Sequence, residues 1–321
     1  MGLHTRSAVL DSRAVKNVYL PLAFLLSAGA WGTGCYNISS ISTPGDGGAS
    51  SSGGGGGSSS GSGSSGGGSS GGSSSGASTG PFCASQSPQP DFCDDFDEED
   101  GGLFAKWDVP NNSSPYGSIS LSQTQAKSPP NSMLAQTGAI AAGAGNIELD
   151  LEKDFPDFQG TAISISLQFA MNVQQVDSMT GQIIAAEVIF DGANSFNQIA
   201  INLDSLNGAG VTGQIAENAE FPAGTDAGLS YFVDKFTAHP VIKQWTQVEL
   251  DLTVPTPNGS NANLVSVKLD GTTVVDSKPL MVPLQGGLPT VRVGIGSVTT
   301  TNPETAWDVF YDNVIINVQK I

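Results

Sequence analysis

The sequence predicts an all-β fold, a sandwich of two antiparallel sheets. Apolar and polar residues alternate over many short segments of the C-terminal part of the chain, the pattern of strands with one buried face. Glycine, asparagine, aspartate and proline separate these segments every 8 to 15 residues or so, roughly as turns require. No window of about 10 to 12 residues shows apolar residues at helical spacing. Many short strands joined by turns favour a sandwich.

The alternation is clearest in four segments between residues 161 and 270. In these segments one face is expected to be buried, and its members are Ile163, Ile165, Leu167, Phe169, Ile199, Ile201, Leu203, Trp245, Val248, Leu250, Leu252, Leu264, Val265, Val267 and Leu269, with a register break near Thr246.

A hairpin and a long last strand complete the pattern. The dipeptide Asp270-Gly271 lies between two apolar runs and predicts a tight hairpin turn. In the closing segment "WDVFYDNVIINV", strict alternation would place Val309, Tyr311 and Asn313 together on one face.

Residues 1–34 are predicted to be a lipoprotein signal peptide. Three basic residues precede a mostly apolar stretch at 18–30, and about 13 residues are too few for a membrane-spanning helix, which needs about 20. The small residues of "WGTGC" then lead to Cys35, which resembles the lipobox of bacterial lipoproteins, where the cysteine thiol is acylated. Gly32 stands where that family usually has leucine, and ordinary secretion with cleavage near Ala30 or Gly34 is the alternative.

Cys35 is one of three cysteines. The other two, Cys83 and Cys93, flank the start of the folded region and are expected to form a disulfide in an oxidising compartment, unless both stay free. Residues 35–80 are a tether dominated by glycine and serine, predicted to be disordered because it has nothing to bury. The typical reach of its glycine- and serine-rich part, the 36 residues of 45–80, is roughly 30–36 Å.

Residues 81–321 are expected to form one domain of strongly acidic character. The chain has a formal net charge of −18, and only two of its 30 acidic and three of its 12 basic residues precede Pro81. Such a charge repels nucleic acid and anionic headgroups, so contact with a membrane is expected through the lipid anchor only.

Three segments of this domain resemble the concanavalin A-like jelly rolls, in the laminin G-like branch found on bacterial surface lipoproteins. They are "FCDDFDEED" at 92–100, "SPPNSMLAQ" at 128–136 and "FYDNVIINV" at 310–318. The resemblance implies that the first and last strands pair. It does not fix a function, because this fold is shared by lectins, glucanases, lyases and scaffolds.

The segment "IELDLE" provides the sharpest catalytic hypothesis. On a strand, Glu148, Asp150 and Glu152 would project from one face. They resemble the E-x-D-x-E signature of laminarinase and lichenase glucanases, which implies a nucleophile at Glu148, an acid/base at Glu152 and a tuning role for Asp150. The alternative is an edge strand whose carboxylates lie in water and discourage edge-to-edge pairing.

A structural Ca²⁺ site is a second hypothesis, which the resemblance implies at Asp312 on the last strand, with Asp95 or Asp97 beside it. Carboxylate oxygens suit calcium. The alternative is that Asp312 accepts hydrogen bonds from the backbone.

Aromatic residues in or near loops are the expected platforms for a sugar ligand. They are Tyr116, Phe196, Tyr231 and Phe232, whereas the tryptophans of the domain fit core or strand-end positions. The single histidine of the domain, His239, precedes a proline in a predicted loop and is expected to be inert.

The sequence therefore predicts an outer-membrane-anchored lipoprotein that binds a glycan or surface polymer without catalysis. Tyr36 follows the cysteine where an aspartate would signal inner-membrane retention. A laminarinase-type hydrolase using Glu148 and Glu152 is the first alternative, and a structural surface protein without a small ligand is the second.

Overall fold

The segments with alternating apolar residues belong to a set of sixteen strands in the part of the chain that the structure describes. That part, in a computed structural model, comprises residues 81–97, 104–111, 113–139, 141, 147–176, 182–192, 195–205, 210–220, 229–255, 262–280, 287–296 and 306–321, without the side chains of 175, 176, 195, 220 and 229–232. The predicted signal peptide, Cys35 and the tether lie outside the described residues. Their assignments stay predictions.

The first sheet has its longest strands at the centre. Its order is β14-β13-β12-β7-β16-β5-β4-β3, with β1 paired to β16 as well, and every pairing is antiparallel. Its strands are β1 Phe92–Asp94, β3 Ser113–Ser114, β4 Gly117–Ser122, β5 Ser132–Thr137, β7 Ile163–Val176, β12 Thr246–Val254, β13 Leu264–Leu269, β14 Thr272–Pro279 and β16 Trp307–Lys320.

The second sheet packs against the first and is also antiparallel, in the order β11-β10-β9-β8-β15-β6-β2. Its strands are β2 Val109–Pro110, β6 Leu149–Asp154, β8 Gln182–Gly192, β9 Ser195–Ser205, β10 Val211–Glu220, β11 Leu229–Lys235 and β15 Leu288–Gly296. The predicted two-sheet antiparallel jelly-roll sandwich is confirmed.

The core lies between the two sheets and is formed by the residues that the alternation selected. Thirteen of the fifteen predicted residues of the four segments are at most 5% exposed and belong to one hydrophobic cluster. The other two, Trp245 and Leu264, are half-buried, so their assignment to the core is wrong; Trp245 precedes β12, and Leu264 is the first residue of β13. The face of each sheet turned away from this core is called its outer face below. Within the described residues, helical turns occur as two three-residue 3-10 segments, Cys83–Ser85 and Pro156–Phe158.

The last strand departs from strict alternation. Val309 and Tyr311 belong to the core as predicted, but the core positions that follow are Val314, Ile316 and Val318. The pairing of β16 with β7 shifts register between Asp312 and Ile315, and Asn313 has a φ of 53°. A bulge at this point inserts one extra residue, so the side chains after it project from the opposite face to the one that strict alternation predicts. The prediction that Asn313 shares a face with Val309 and Tyr311 is therefore wrong.

Two local predictions are confirmed. Asp270 (φ 49°) and Gly271 (φ 76°) form the turn between β13 and β14, and positive φ at both positions is the geometry of a tight hairpin turn. The first and last strands also pair, with Asp94 opposite Val314. None of the helical segments in the described ranges has the length and apolar character needed to cross a membrane.

Candidate functional site

The segment "IELDLE" forms the second strand in from one end of the second sheet. Leu149 and Leu151 point into the core and are fully buried, whereas Asp150 and Glu152 lie on the outer face. Glu148 precedes the first residue of β6. Asp150 is 1% exposed, so the alternative that these carboxylates lie in water is wrong for it.

Strand register places Arg292 of β15 between two carboxylates. Its Cα is opposite Glu152 of β6 on one side and Glu187 of β8 on the other. The guanidinium contacts Glu152 Oε2 at 2.7 and 2.8 Å and Glu187 Oε1 at 3.3 Å. Residues directly opposite in neighbouring strands have adjacent side chains, so three strands build this ion-paired group.

Amide side chains extend the group across two further strands. Gln198 of β9 donates from Nε2 to Glu187, and Asn218 of β10 donates from Nδ2 to Gln198 Oε1 at 2.6 Å. Glu152, Arg292, Glu187, Gln198 and Asn218 are called the polar row. The row crosses five adjacent strands of the outer face, from β6 to β10.

The polar row is largely withdrawn from water. Glu187 is 2% exposed and Gln198 9%, whereas the side chains of Arg292 and Glu152 keep 21% and 15% of their surface. Attraction and repulsion between charges are stronger in such a site than in water. Because Arg292 and Glu152 keep more exposed surface than Glu187 and Gln198, they are the more accessible part of the row.

Asp150 lies beside the row and is held by one hydrogen bond. Asn111 Nδ2 donates to Asp150 Oδ1 at 2.8 Å, while Oδ2 is buried and has no hydrogen-bond partner in the structure. Opposite Asp150 on β15 is Gly294, with a φ of +140°. A Cβ at Gly294 would lie 2.3 Å from Leu149 O and 2.7 Å from Asp150 Cα, so only glycine fits this close approach.

Burial shifts the protonation of both buried acids. It raises the pKa of Asp150 to about 7, with Arg292 opposing the shift and Glu187 adding to it. Burial likewise raises the pKa of Glu187, against the attraction of Arg292 and the hydrogen bond from Gln198. For Arg292, burial disfavours the charge, but Asp150, Glu187 and Glu152 outweigh it and raise the pKa. The site thus joins a permanent cation to an acid poised near neutrality.

This geometry does not suit the glucanase roles predicted for Glu148 and Glu152. Arg292 contacts Glu152 Oε2 through Nε at 2.8 Å and through Nη2 at 2.7 Å, so this oxygen is already engaged. An acid/base needs to gain and lose a proton during the reaction. The carboxyl with the strongly shifted pKa is Asp150, to which the motif assigned only a tuning role.

The residues predicted to hold calcium are occupied by hydrogen-bond donors. Asp312 accepts from the backbone N–H groups of Lys127 and Ser128 at 2.7 and 2.9 Å, and from Asn313 N at 2.8 Å. Asp97 accepts from Asn131 N at 2.8 Å. Burial raises the pKa of Asp312 to about 7 despite these bonds.

Asp95, the other predicted ligand, is fully buried and accepts from Cys83 N at 2.9 Å. Calcium takes six to eight oxygen ligands, and no group of three or more His, Cys, Asp or Glu side chains suited to a metal occurs in the described residues. The calcium site at Asp312 therefore stays a prediction.

The predicted aromatic platforms are dispersed. Phe196 is half-buried on β9, two residues before Gln198 and on the same face as the polar row. Tyr116 lies in the turn between β3 and β4 of the first sheet and packs against the core. The backbone of Tyr231 and Phe232 belongs to β11, but their side chains lie outside the described residues.

The predicted disulfide is present, with Cys83 and Cys93 sulfurs 2.07 Å apart. His239 is exposed, and its Nδ1 lies 3.5 Å from Gly213 N, at the limit of a hydrogen bond.

Sequence reasoning missed four of the five members of the polar row: Arg292, Glu187, Gln198 and Asn218. One signal was available. Glu187 interrupts the otherwise apolar run "IIAAEVIF", and Arg292 interrupts "VRVGI". A single charge in the middle of a strongly apolar strand needs a partner, because an unpaired buried charge is costly.

No protein-family model and no curated protein sequence matches the chain. Among solved structures, the chain is similar to an endo-β-1,4-glucuronan lyase from Trichoderma reesei, with a TM-score of 0.51 and 13% identity, over 71% of this chain and 95% of that one. It is also similar to the alginate lyase Aly36B, with a TM-score of 0.43 and 16% identity, over 60% of this chain and 83% of that one. A third similar structure is the cellulose-induced protein Cip1, with a TM-score of 0.42 and 15% identity, over 70% of this chain and 96% of that one.

These comparisons correct the function expected from the sequence. The reported structure with a TM-score above 0.5 is named as an endo-β-1,4-glucuronan lyase, and not as a lectin or a glucanase. Binding of a glycan without catalysis is therefore the wrong expectation, and so is a laminarinase-type hydrolase using Glu148 and Glu152. The comparisons do not support the other alternative, a structural surface protein without a small ligand.

Proposed function

We propose that this protein is a polysaccharide lyase that acts on a polymer containing uronic acid, with Asp150 and the polar row as its reaction site. The observation that carries the proposal is a buried carboxyl with a pKa of about 7 beside the ion-paired Arg292. A group whose pKa is near the working pH can both take and return a proton. The likeness in fold to a glucuronan lyase supports the class of reaction.

The chemistry of elimination sets what the site must supply. A base removes the hydrogen on the carbon next to the uronate carboxylate. The released electron pair forms a carbon–carbon double bond, the glycosidic carbon–oxygen bond breaks, and the leaving oxygen takes up a proton. Negative charge builds on the carboxylate before the bond breaks, so donors already in place there lower the barrier.

Asp150 has the properties of the proton-transfer group. Asn111 holds Oδ1, which orients the carboxyl and leaves Oδ2 as the atom without a partner. For Oδ2 to take the proton in the ionised form and return it to the leaving oxygen in the protonated form, substrate binding must expose this buried atom. One group can serve both steps because its pKa lies between those of an ordinary carboxyl and a strong base.

The polar row supplies the donors. Arg292 is the cation of the row, and the amides of Gln198 and Asn218 add N–H groups further along the face. Phe196, on the same face, offers an apolar surface to a sugar ring. In this arrangement the uronate carboxylate lies against Arg292, and the polysaccharide substrate extends from there along the polar row.

Net charge gives the proposal a specific consequence. With a formal net charge of −18, the protein repels a polyanionic substrate at long range. Salt screens exposed charges over about 8 Å at physiological ionic strength but affects buried pairs much less. Activity on a polyuronate is therefore expected to rise as salt is added from a low concentration.

The test is to incubate the full chain with glucuronan and with alginate and follow two signals. Elimination produces a double bond conjugated to the carboxylate, which absorbs ultraviolet light, together with new reducing ends, whereas hydrolysis produces reducing ends alone. Asp150→Asn is expected to abolish the absorbance. Asp157→Asn, which changes an exposed carboxyl in the same region of the chain, is the matched control and should retain it.

Failure to generate the absorbance from any polyuronate, across a range of salt concentrations, would refute the lyase. Full activity of Asp150→Asn would keep the reaction class but remove Asp150 from the site.

We also propose that the protein is exported and anchored through lipid on Cys35. The disulfide between Cys83 and Cys93 supports export, because disulfides persist mainly in oxidising compartments. With that pair joined, Cys35 is the thiol left for acylation. Labelling with a radioactive fatty acid should mark the wild-type chain and not Cys35→Ala, which should appear in the soluble fraction. Equal labelling of both chains would contradict the anchor.

A further inference from the structure

We propose that the outer face of the first sheet holds a second saccharide site, a cleft for a neutral, hydroxyl-rich sugar chain. The cleft has a volume of about 530 Å³, within the usual range for small-molecule sites. It belongs to the opposite sheet from the polar row, so it extends beyond the lyase function and does not depend on it.

Strand register builds the floor of the cleft. Ser164 of β7 lies between Thr253 of β12 and Gln319 of β16. One step along, Ser166 lies between Asp251 and Asn317.

These two rows make a grid of hydroxyl, amide and carboxylate groups on three adjacent strands. Rows are about 6.8 Å apart along the strands, and strands are about 4.8 Å apart across the sheet. Spacing of this kind suits the repeated hydroxyl groups of a sugar chain.

The wall of the cleft is the segment that follows Cys83. Gln86, Pro88 and Pro90 line one side, beside Ile315 on the floor. Three attachments hold the wall against the sheet. These are the Cys83–Cys93 disulfide, the pairing of β1 with β16, and the hydrogen bond from Val318 N to Asp91 Oδ2 at 2.7 Å. An ordinary sheet surface has no such fixed wall.

The polar groups of the floor are available to a ligand. Ser164, Ser166 and Asn317 make no side-chain hydrogen bond within the described structure, and Asp251 has only a 3.4 Å contact with Lys268. Partly buried hydroxyl and amide groups without protein partners gain from binding a ligand that can satisfy them. The prolines and Ile315 add apolar surface for the C–H faces of sugar rings.

Charge excludes a uronate from this cleft. The one ionisable side chain that lines it is Asp251, a carboxylate, and no lining residue is basic. A polyuronate would meet repulsion, whereas a neutral saccharide would find acceptors and donors for its hydroxyl groups. The two faces of the sandwich therefore select different sugars, an acidic polymer on the second sheet and a neutral one on the first.

The experiment is a calorimetric titration of the full chain with soluble oligosaccharides of neutral glucan, mannan and xylan, and with glucuronan oligosaccharides for comparison. At least one neutral sugar should bind, and Ser166→Phe, which fills the floor, should weaken that binding at least tenfold. Thr273→Phe is the matched control, because Thr273 is exposed on the same sheet but outside the cleft. It should bind as the wild type does.

Asn317→Ala gives a second variant that removes only an amide, so a folding defect in Ser166→Phe does not decide the outcome. It should weaken binding with an unchanged thermal unfolding midpoint. Absence of binding by all neutral oligosaccharides, or equal binding by wild type and both variants, would overturn the proposal. So would displacement of the sugar by a peptide of residues 51–75, since the tether would then be the natural occupant.

Discussion

Replacing Asp150 with asparagine is expected to stabilise the protein at pH 8 while removing its lyase activity. Asparagine has the shape of the protonated aspartic acid and keeps an oxygen that can accept the hydrogen bond from Asn111. It cannot ionise. The substitution therefore removes the cost of holding a carboxylate in a buried site beside Glu187 and Glu148.

The magnitude follows from the pKa of Asp150, which is 3.8 in a free carboxyl and about 7 in the folded protein. Each pH unit of that difference corresponds to 1.36 kcal/mol, so the cost at pH 8 is at most about 4 kcal/mol. Because the folded state holds the proton more tightly than the unfolded state, the stability of the wild type falls as the pH rises from about 4 to about 7. Glu187, whose pKa is also raised, contributes with the same sign.

The assay is urea unfolding of wild type and Asp150→Asn at pH 4 and pH 8. The two proteins should have nearly equal unfolding free energies at pH 4, and the variant should be more stable at pH 8. Asp157→Asn, in which the altered carboxyl is exposed, should show no such pH-dependent difference. An advantage of Asp150→Asn that is the same at both pH values, or absent at pH 8, would refute the reasoning.

Three further predictions concern the stability of the site and the fold. Arg292→Met leaves buried carboxylates without their cation and should cost about 3–5 kcal/mol of unfolding free energy at pH 8. The loss should be clearly smaller at pH 4, because the raised pKa values of Asp150 and Glu187 favour their protonated forms there; an equal loss at both pH values would contradict this. Gly294→Ala should lower the unfolding midpoint more than Gly271→Ala, because both have positive φ but only Gly294 would place a Cβ against backbone; similar midpoints would argue against the close approach. Removing the disulfide in Cys83→Ser/Cys93→Ser frees a loop of ten residues and should cost about 3 kcal/mol in denaturant unfolding, and no change would show that the loop is held by its other contacts.

Local patterns predicted the parts of this fold that depend on neighbours in sequence. The alternation in β7, β9, β12 and β13 identified buried faces correctly, since a strand's side chains change face at every residue. Asp270-Gly271 identified a turn because two positive φ angles in succession demand residues of that kind. The bulge at Asn313 was not predicted, because the positive φ of an asparagine cannot be read from the pattern of apolar residues. Only the residues after it show the shift in register.

The candidate site depends on pairings that no local pattern contains. Arg292 is 140 residues from Glu152 and 105 from Glu187, and it reaches them only because β15 lies between β6 and β8. The motif "IELDLE" therefore directed attention to a strand of the proposed site, but to glucanase roles that the proposal does not use. The proposal assigns proton transfer to Asp150 because Arg292 holds Glu152, whereas Asp150 Oδ2 has no hydrogen-bond partner among the described residues.

The position of β16 has a consequence for how the chain acquires its structure. This strand joins β7, β5 and β1, yet it is made of residues 307–320, so the centre of the first sheet is synthesised after all the other described strands. Sheets dominated by pairings between distant residues form slowly. Until β16 is available, β7 and β5 cannot meet as neighbours of a common strand. The first sheet is therefore expected to stay incomplete until β16 has been synthesised, a state in which its strands can still be threaded across a membrane.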